Sequence, residues 1–229
     1  MNPLPCTFAD RTTAGIELGH AIHERGLGAS GIVLGLPRGG VPVASEIAVA
    51  LRAPLDVMAV RKIALPKNPE FAIGAIAGKT IVREPNPPFE VSTALFNELA
   101  RRQRVELRRR ERTYRPGRPP LNLKGLDVLL VDDGLATGCT MLAAVREANR
   151  LQASRVIVAA PVASDSGYAL VRAEADEVIA LRIEPHLSSV GAWYEDFRQV
   201  EDSEVCALLS LPWTVDGRLQ REGRHHSRT

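Results

Sequence analysis

Aromatic residues are scarce in this chain, only 4 % of 229 residues and ten in number. Any local cluster of them is therefore informative. Cysteine is scarcer: Cys6, Cys139 and Cys206 are scattered, which argues against both a disulfide framework and a zinc site. No apolar run approaches the length of a membrane-spanning helix, and Met1 to Asp10 lacks the basic start and apolar stretch of a signal peptide. A cytoplasmic location is the resulting expectation, with no membrane partner. No internal repeat is visible. A Gly-x-Ser-x-Gly elbow is absent, which argues against an acyl-transfer hydrolase. His20, His23, His225 and His226 stand without a carboxylate or cysteine pattern that would make them metal ligands. What is present suits a conventional core: 45 % of residues are hydrophobic and 24 % charged, as expected for one α/β domain with an insertion or appendage.

The most informative stretch runs from Val128 to Thr140. Val128-Leu129-Leu130-Val131 is a continuous apolar run, the pattern of a strand buried on both faces in a parallel sheet. Asp132 and Asp133 follow where that strand should end. A turn of small residues, Gly134 to Cys139, then leads into a helix from about Met141. Amide groups and the positive end of a helix dipole hold anions, and small residues let backbone and ligand approach closely. Two carboxylates accept hydrogen bonds from a vicinal diol or hold a hydrated Mg²⁺. Together these features suit a sugar phosphate, the alternative being an αβ crossover in which the Asp pair only caps a helix. Cys139 at a helix N-terminus could carry a stabilised thiolate, but small filler in a tight loop is the simpler account.

A second unit of the same kind lies upstream. Gly31 to Leu36 is predicted as a buried strand, Pro37-Arg38-Gly39-Gly40 breaks it, and Val41 to Leu51 continues as a helix. Before it, Asp10 is placed to cap a helix ending near Gly26, which Gly15 and Gly19 weaken. Leu55 to Val60 is predicted as the next strand, with Arg61 and Lys62 at its C-terminal edge. Open α/β sheets bind ligands at that edge, so these cations are expected on the same rim as Arg38 and Asp132. Strands over Phe71 to Ala77, Lys79 to Val82, Arg155 to Ala160 and Glu177 to Leu181 complete the pattern, with a helix capped by Ser164 or Asp165. Successive βα units predict a doubly wound, mainly parallel sheet.

At Val128 to Thr140 the chain resembles the type I phosphoribosyltransferases, whose signature is an apolar run, two acidic residues and a Thr-Gly-containing loop. The resemblance implies that Asp132 and Asp133 hold the ribose hydroxyls of phosphoribosyl pyrophosphate (PRPP), together with Mg²⁺ through water. It implies that Ala136, Thr137, Gly138, Cys139 and Thr140 wrap the 5′-phosphate, and that Arg38, Gly39, Gly40, Arg61 and Lys62 bind the pyrophosphate. The family often carries a cis peptide bond in the upstream loop, which would fall near Pro37–Arg38. Members that act on oxopurines place an acid before the Thr-Gly; Ala136 stands there instead, which looks more like the adenine-type loop. The implied activity is transfer of a phosphoribosyl group from PRPP to a nitrogenous, nucleobase-like acceptor, with release of pyrophosphate. The implied partners are PRPP and a small-molecule acceptor, with a homodimer left open and nucleic acid disfavoured.

Two segments stand outside that signature. Arg101 to Arg118 holds nine Arg against two Glu, a local balance of +7 within a net charge of +2. It forms most of a helix predicted over Ala94 to Thr113, capped by Ser92 or Thr93. This helix could be a solvated face bridged to Glu98, Glu106 and Glu111, could bring charge to the anion site, or could bind RNA phosphates. The RNA reading belongs to an alternative function, a PRPP- or nucleotide-sensing regulator. Trp193, Tyr194 and Phe197 fall within five residues and read either as a hydrophobic cluster or as a platform for a planar acceptor. The expected organisation is a core over residues 31–181, an Arg-rich helical insertion over 84–120, a small hood over 182–211 and a polar tail over 216–229.

Overall fold

The computed structural model describes residues 8–27, 31–85, 87 and 90–211. Cys6, part of the linker at residues 84–89 and the tail at 216–229 lie wholly or partly outside them. The core is a five-stranded, entirely parallel sheet. Its strands are β1 (Ile32–Gly35), β2 (Leu55–Val57), β6 (Asp127–Val131), β7 (Arg155–Ser164) and β8 (Glu177–Glu184), in the order β2-β1-β6-β7-β8. The strand order reverses between β1 and β6, the place where an open α/β sheet forms a crevice for ligands.

The apolar run of β6 is buried on both faces. Val128 and Leu130 pack with Leu34, Val156 and Val158 under helix α4 (Cys139–Arg150). Leu129 and Val131 pack with Val33 and Ile157 under α1 (Arg11–Glu24) and α2 (Gly40–Leu51). Each such side chain contributes about 2 kcal/mol by leaving water. Helix α5 (Asp165–Arg172) covers the outer part of the α4 face, its N-terminus capped by the Ser164 hydroxyl. Helix α6 (Asp202–Leu209) closes the other face beside α2. Among the described residues no helix is long and apolar enough to cross a membrane.

The strand expected over Leu55 to Val60 is two strands in two sheets. β2 ends at Val57, and β3 (Val60–Leu65) pairs antiparallel with β4 (Asn68–Ala77), which pairs with β5 (Thr80–Arg83). This small sheet is held between two helices. Ala75, Ala77 and Val82 meet the α4 side, whereas Ile63, Ile73 and Ile76 pack with Phe96, Leu99 and Leu107 of α3 (Thr93–Tyr114). A strand-like sequence without a turn signal does not reveal where a chain leaves one sheet for another. The two residues between β2 and β3 do so with no glycine or proline to mark the change.

Asp10 caps α1 as expected, its side chain accepting from the Thr13 amide at 2.7 Å. The glycines of α1 have a positive purpose. Gly15 and Gly19 are buried where α1 meets α2, and a Cβ at Gly15 would stand 2.9 Å from the Val43 carbonyl oxygen and 3.0 Å from the Glu46 Cβ. Replacing Gly15 by Ala should therefore lower the melting temperature. The helix-propensity gain of about 1 kcal/mol is outweighed by overpacking that costs about 1–3 kcal/mol, and thermal denaturation followed by circular dichroism measures the difference.

Candidate active site

The acid pair leaves the C-terminal end of β6 at the crevice. Asp132 Oδ1 accepts the Asp133 amide at 2.9 Å, and Asp133 Oδ2 accepts from Arg11 Nε at 2.8 Å. Arg11 is 9 % exposed, and its Nη1 also donates to the Arg198 carbonyl at 2.8 Å. Its guanidinium lies 3.8 Å from the centre of the Phe197 ring. Burial and the neighbouring Asp133 charge raise the Asp132 pKa well above the ordinary carboxylate value. Burial also raises Asp133, but the Arg11 charge and hydrogen bond oppose that rise. The pair thus divides its roles: Asp133 is the neutralised member, and Asp132 is the one that retains a proton more readily.

The loop after β1 is built onto this pair. The peptide bond between Pro37 and Arg38 is cis. A Cβ at Gly39 would stand 1.9 Å from Asp133 Oδ2, and one at Gly40 would stand 2.5 Å from the Val131 carbonyl oxygen. Only glycine leaves room for the two halves of the crevice to meet. Arg38 is half-buried and lies 3.8 Å from Glu201 and 3.7 Å from Asp202, both at the N-terminus of α6.

The loop after the acids is held from below. The Leu135 amide donates to the Val162 carbonyl, and the Ser164 amide donates back to the Leu135 carbonyl. The Ser164 hydroxyl donates to the Ala136 carbonyl and accepts the Gly167 amide at 2.9 Å. Ala136 and Thr137 face solvent, while Gly138 takes the left-handed conformation with φ of 76° and caps α4. The first-turn amides of that helix have no partner within it, and they begin at Cys139. Cys139 itself is buried, and burial followed by the nearby Glu84 pushes its thiol up to about 12. That leaves almost no thiolate at neutral pH, so Cys139 is packing and not a nucleophile.

Arg61 and Lys62 do not extend the rim of β2; they are the second and third residues of β3. Arg61 Nε donates to Gln103 Oε1 at 3.0 Å, within a charge network on α3. Glu106 there binds Arg109 and Arg110, Arg109 approaches Asp202 at 3.7 Å, and Tyr114 donates to Asp202 at 2.6 Å. Asp202 also faces Arg38, so α3 meets the loop after β1 through the start of α6, while Arg61 itself is held on α3.

Trp193 and Tyr194 are buried and offer no open platform. Tyr194 donates its hydroxyl to the Asp133 carbonyl at 2.7 Å and packs between Phe8 and Phe197, at ring-centre distances of 5.5 and 5.0 Å. Phe197 is half-buried and stacks with Arg11. Phe8 also forms a parallel bridge with Tyr194, so residues near both ends of the described chain build this wall together. Arg11 and Phe8 are the site residues that sequence reasoning missed. Only the Asp10 cap hinted at order there, and nothing local linked position 11 to position 133.

Among the described residues there is no group of three or more His, Cys, Asp or Glu able to hold a metal by itself. A hydrated Mg²⁺ asks for less, one or two carboxylates, and Asp132 and Asp133 are the residues that would hold it.

A parallel sheet whose switch point carries an acid pair, a glycine loop and a helix N-terminus defines an α/β protein with one crevice at the C-terminal ends of its strands. Comparison with known proteins narrows the class. Residues 22–190 match the family model described as the phosphoribosyl transferase domain, and the chain belongs to that family. It is 41 % identical over 206 residues to a Mycobacterium tuberculosis protein provisionally named a phosphoribosyl transferase, a match that spans 88 % of this chain and 46 % of that protein. The chain therefore spans about half the length of the curated relatives it matches. The crystal structure of TT1426 from Thermus thermophilus shares 45 % identity with a TM-score of 0.73, covering 89 % of this chain and 97 % of that one. The AQ2163 protein of Aquifex aeolicus, at 15 % identity and a TM-score of 0.50 over 79 % of this chain and 78 % of that one, shares the fold alone.

The raised pKa of Asp132 has a thermodynamic consequence. A carboxyl group whose folded pKa lies above its unfolded value binds more protons in the folded state, so stability falls as pH rises from the unfolded value through the folded one. Asp132→Asn should therefore melt higher than the wild type at pH 8, with the gain shrinking toward pH 4. Thermal melts across that range check the sign, and an equal gain at both ends would mean that Asp132 ionises normally.

Proposed function

We propose that this chain transfers a phosphoribosyl group from PRPP to a nitrogenous, nucleobase-like acceptor and releases pyrophosphate. The observation that carries this reading is the seating of Gly39 against the Asp133 carboxylate. It joins two anion-binding turns into one crevice with an acid pair between them. A sugar that bears phosphate at one end and pyrophosphate at the other matches that order of groups.

In this reading Asp132 and Asp133 accept hydrogen bonds from the ribose hydroxyls. The loop from Ala136 to Thr140 and the first turn of α4 receive the 5′-phosphate. Arg38 and the Gly39 amide receive the pyrophosphate, while the Gly40 amide donates to the Leu36 carbonyl at 3.0 Å and fixes the turn. Arg38 would move from Glu201 and Asp202, which hold it only at 3.8 and 3.7 Å, to a phosphate that competes for the same cation. Arg61 adds positive charge from the α3 network. Asp132 and Asp133 would hold Mg²⁺, which would supply positive charge against the leaving pyrophosphate. Arg11 opposes the effect of burial and favours the anionic form of Asp133, the form that can accept from the diol and face the positive charge that grows on the ribose ring as the leaving group departs. Preorganised charge of this kind supplies most of the rate in such a reaction.

The acceptor side has less to constrain it. Ala136 stands where oxopurine-type loops keep an acid, and its carbonyl is already taken by Ser164. An acceptor that needs no acidic group from this loop, such as a 6-aminopurine, is therefore favoured over guanine or hypoxanthine.

Calorimetry with Mg-PRPP followed by a pyrophosphate-release assay over a panel of bases tests the reading. The expected result is PRPP binding and release of pyrophosphate with at least one base. PRPP binding without release across the whole panel would point instead to a regulatory binding module. Gly39→Ala supplies a second check. It should weaken Mg-PRPP by about a hundredfold or more, as expected for loss of two or so charge-assisted hydrogen bonds, and leave the circular dichroism spectrum intact. Unchanged affinity would show that the two turns do not share one ligand.

A further inference from the structure

A second cavity, of about 590 Å³, lies outside the crevice. It is bounded by the C-terminal half of α3, the connection between β2 and β3, and the C-terminal end of α4. Its wall includes Glu147, Arg150 and Leu151, whereas the phosphate loop precedes Cys139 at the opposite end of the same helix. At about 1.5 Å rise per residue, the two ends of α4 stand some 16 Å apart. None of the residues assigned to PRPP lines this cavity.

Seven cationic side chains and two carboxylates face it. Three of the cations are already engaged. Arg115 clamps Asp56 with contacts of 3.0 and 3.1 Å, Arg118 donates to the Leu209 carbonyl at 2.9 Å, and Arg150 binds Glu147 at 2.7 and 2.8 Å. The other four are Lys79, Arg104, Arg108 and Arg112, and among the described residues none has an ion pair within 4 Å. The three arginines recur every fourth residue, so they form one row along α3. Like charges at that spacing repel and weaken a helix. The same helix neutralises other arginines with its own acids, Arg102 through Glu98 and Arg109 and Arg110 through Glu106. Over the cavity it does not. The carboxyl that α3 does place there, Glu111, has its pKa raised by burial and by Glu147, which weakens it as a counter-ion.

The remaining wall is apolar, formed by Met58, Leu107, Leu121 and Leu151 among others, and contains no aromatic side chain. A cation row facing an apolar wall in a cavity of nucleotide size selects an organic molecule with clustered phosphates. The absence of stacking rings argues against single-stranded RNA. We propose that this cleft is a second ligand site, separate from the crevice, for a small organic polyphosphate of nucleoside-diphosphate size, bound through Arg104, Arg108 and Arg112.

Calorimetry with ADP as the probe tests this on the whole chain, with and without saturating Mg-PRPP. Arg108 and Arg112 are exposed, so replacing both by Ala should leave the melting temperature and Mg-PRPP affinity in place. ADP should bind the wild type even when Mg-PRPP is present. The R108A/R112A variant should bind it at least about tenfold more weakly, as expected for loss of charge-assisted phosphate contacts. R108K/R112K should recover part of that loss, and Gly39→Ala should bind ADP as the wild type does. ADP affinity lost in Gly39→Ala and kept in R108A/R112A would overturn the proposal, because the nucleotide would then occupy the crevice. No ADP binding at millimolar concentration, or tighter salt-dependent binding of polyuridylate than of ADP, would overturn it too. Failure of Mg-PRPP to bind would strike the proposed function and leave this second site standing.

Discussion

Two carboxylates set side by side at the end of a buried strand repel each other, and the arrangement around them serves to make that tolerable. Arg11 supplies the counter-charge to Asp133 at 2.8 Å and is itself fixed by the Arg198 carbonyl and the Phe197 ring. An ion pair this well buried is costly to break, about 3–5 kcal/mol when one partner is removed. Helix α1, the wall at residues 190–198 and the end of β6 are thereby tied to one another. Tyr194 adds a second tie by donating to the Asp133 carbonyl. The acid pair is therefore a structural junction at the mouth of the crevice.

The same constraint explains the glycines. A crevice that brings the loop after β1 within contact of a carboxylate has no room for a side chain between them, and Gly39 and Gly40 stand at that contact. Burial then raises the Asp132 pKa, a destabilising feature at neutral pH that an asparagine would remove. Binding sites commonly hold groups that the fold alone would not choose. The bare arginine row on α3 follows the same logic in the opposite sign, with like charges kept adjacent and unneutralised beside a cavity.

Much of the parallel core was legible because its signals are local. Val128 to Val131 reads as a strand buried on both faces, and its residues do alternate between the two halves of the core. The caps at Asp10, Ser92 and Ser164 mark helix starts where the structure has them. The split between β2 and β3 was not legible, since no turn residue separates them and only pairing partners distinguish them. The aromatic cluster was visible, but its orientation was not: Trp193 and Tyr194 turn inward, and Tyr194 supports Asp133 from behind.

By itself, the sequence determined the acid pair, the two glycine turns and a helix after the second of them, expected from about Met141 and found from Cys139, because each depends on residues adjacent in the chain. Tertiary structure alone decided that Arg11 answers Asp133 across 122 positions, that Arg61 lies on β3 and bonds Gln103 of α3, and that three arginines share one cavity with the far end of α4. These are charge interactions between segments distant in sequence. Hydrophobic periodicity carries no information about them, since it records which face of an element is buried and not which partner it meets.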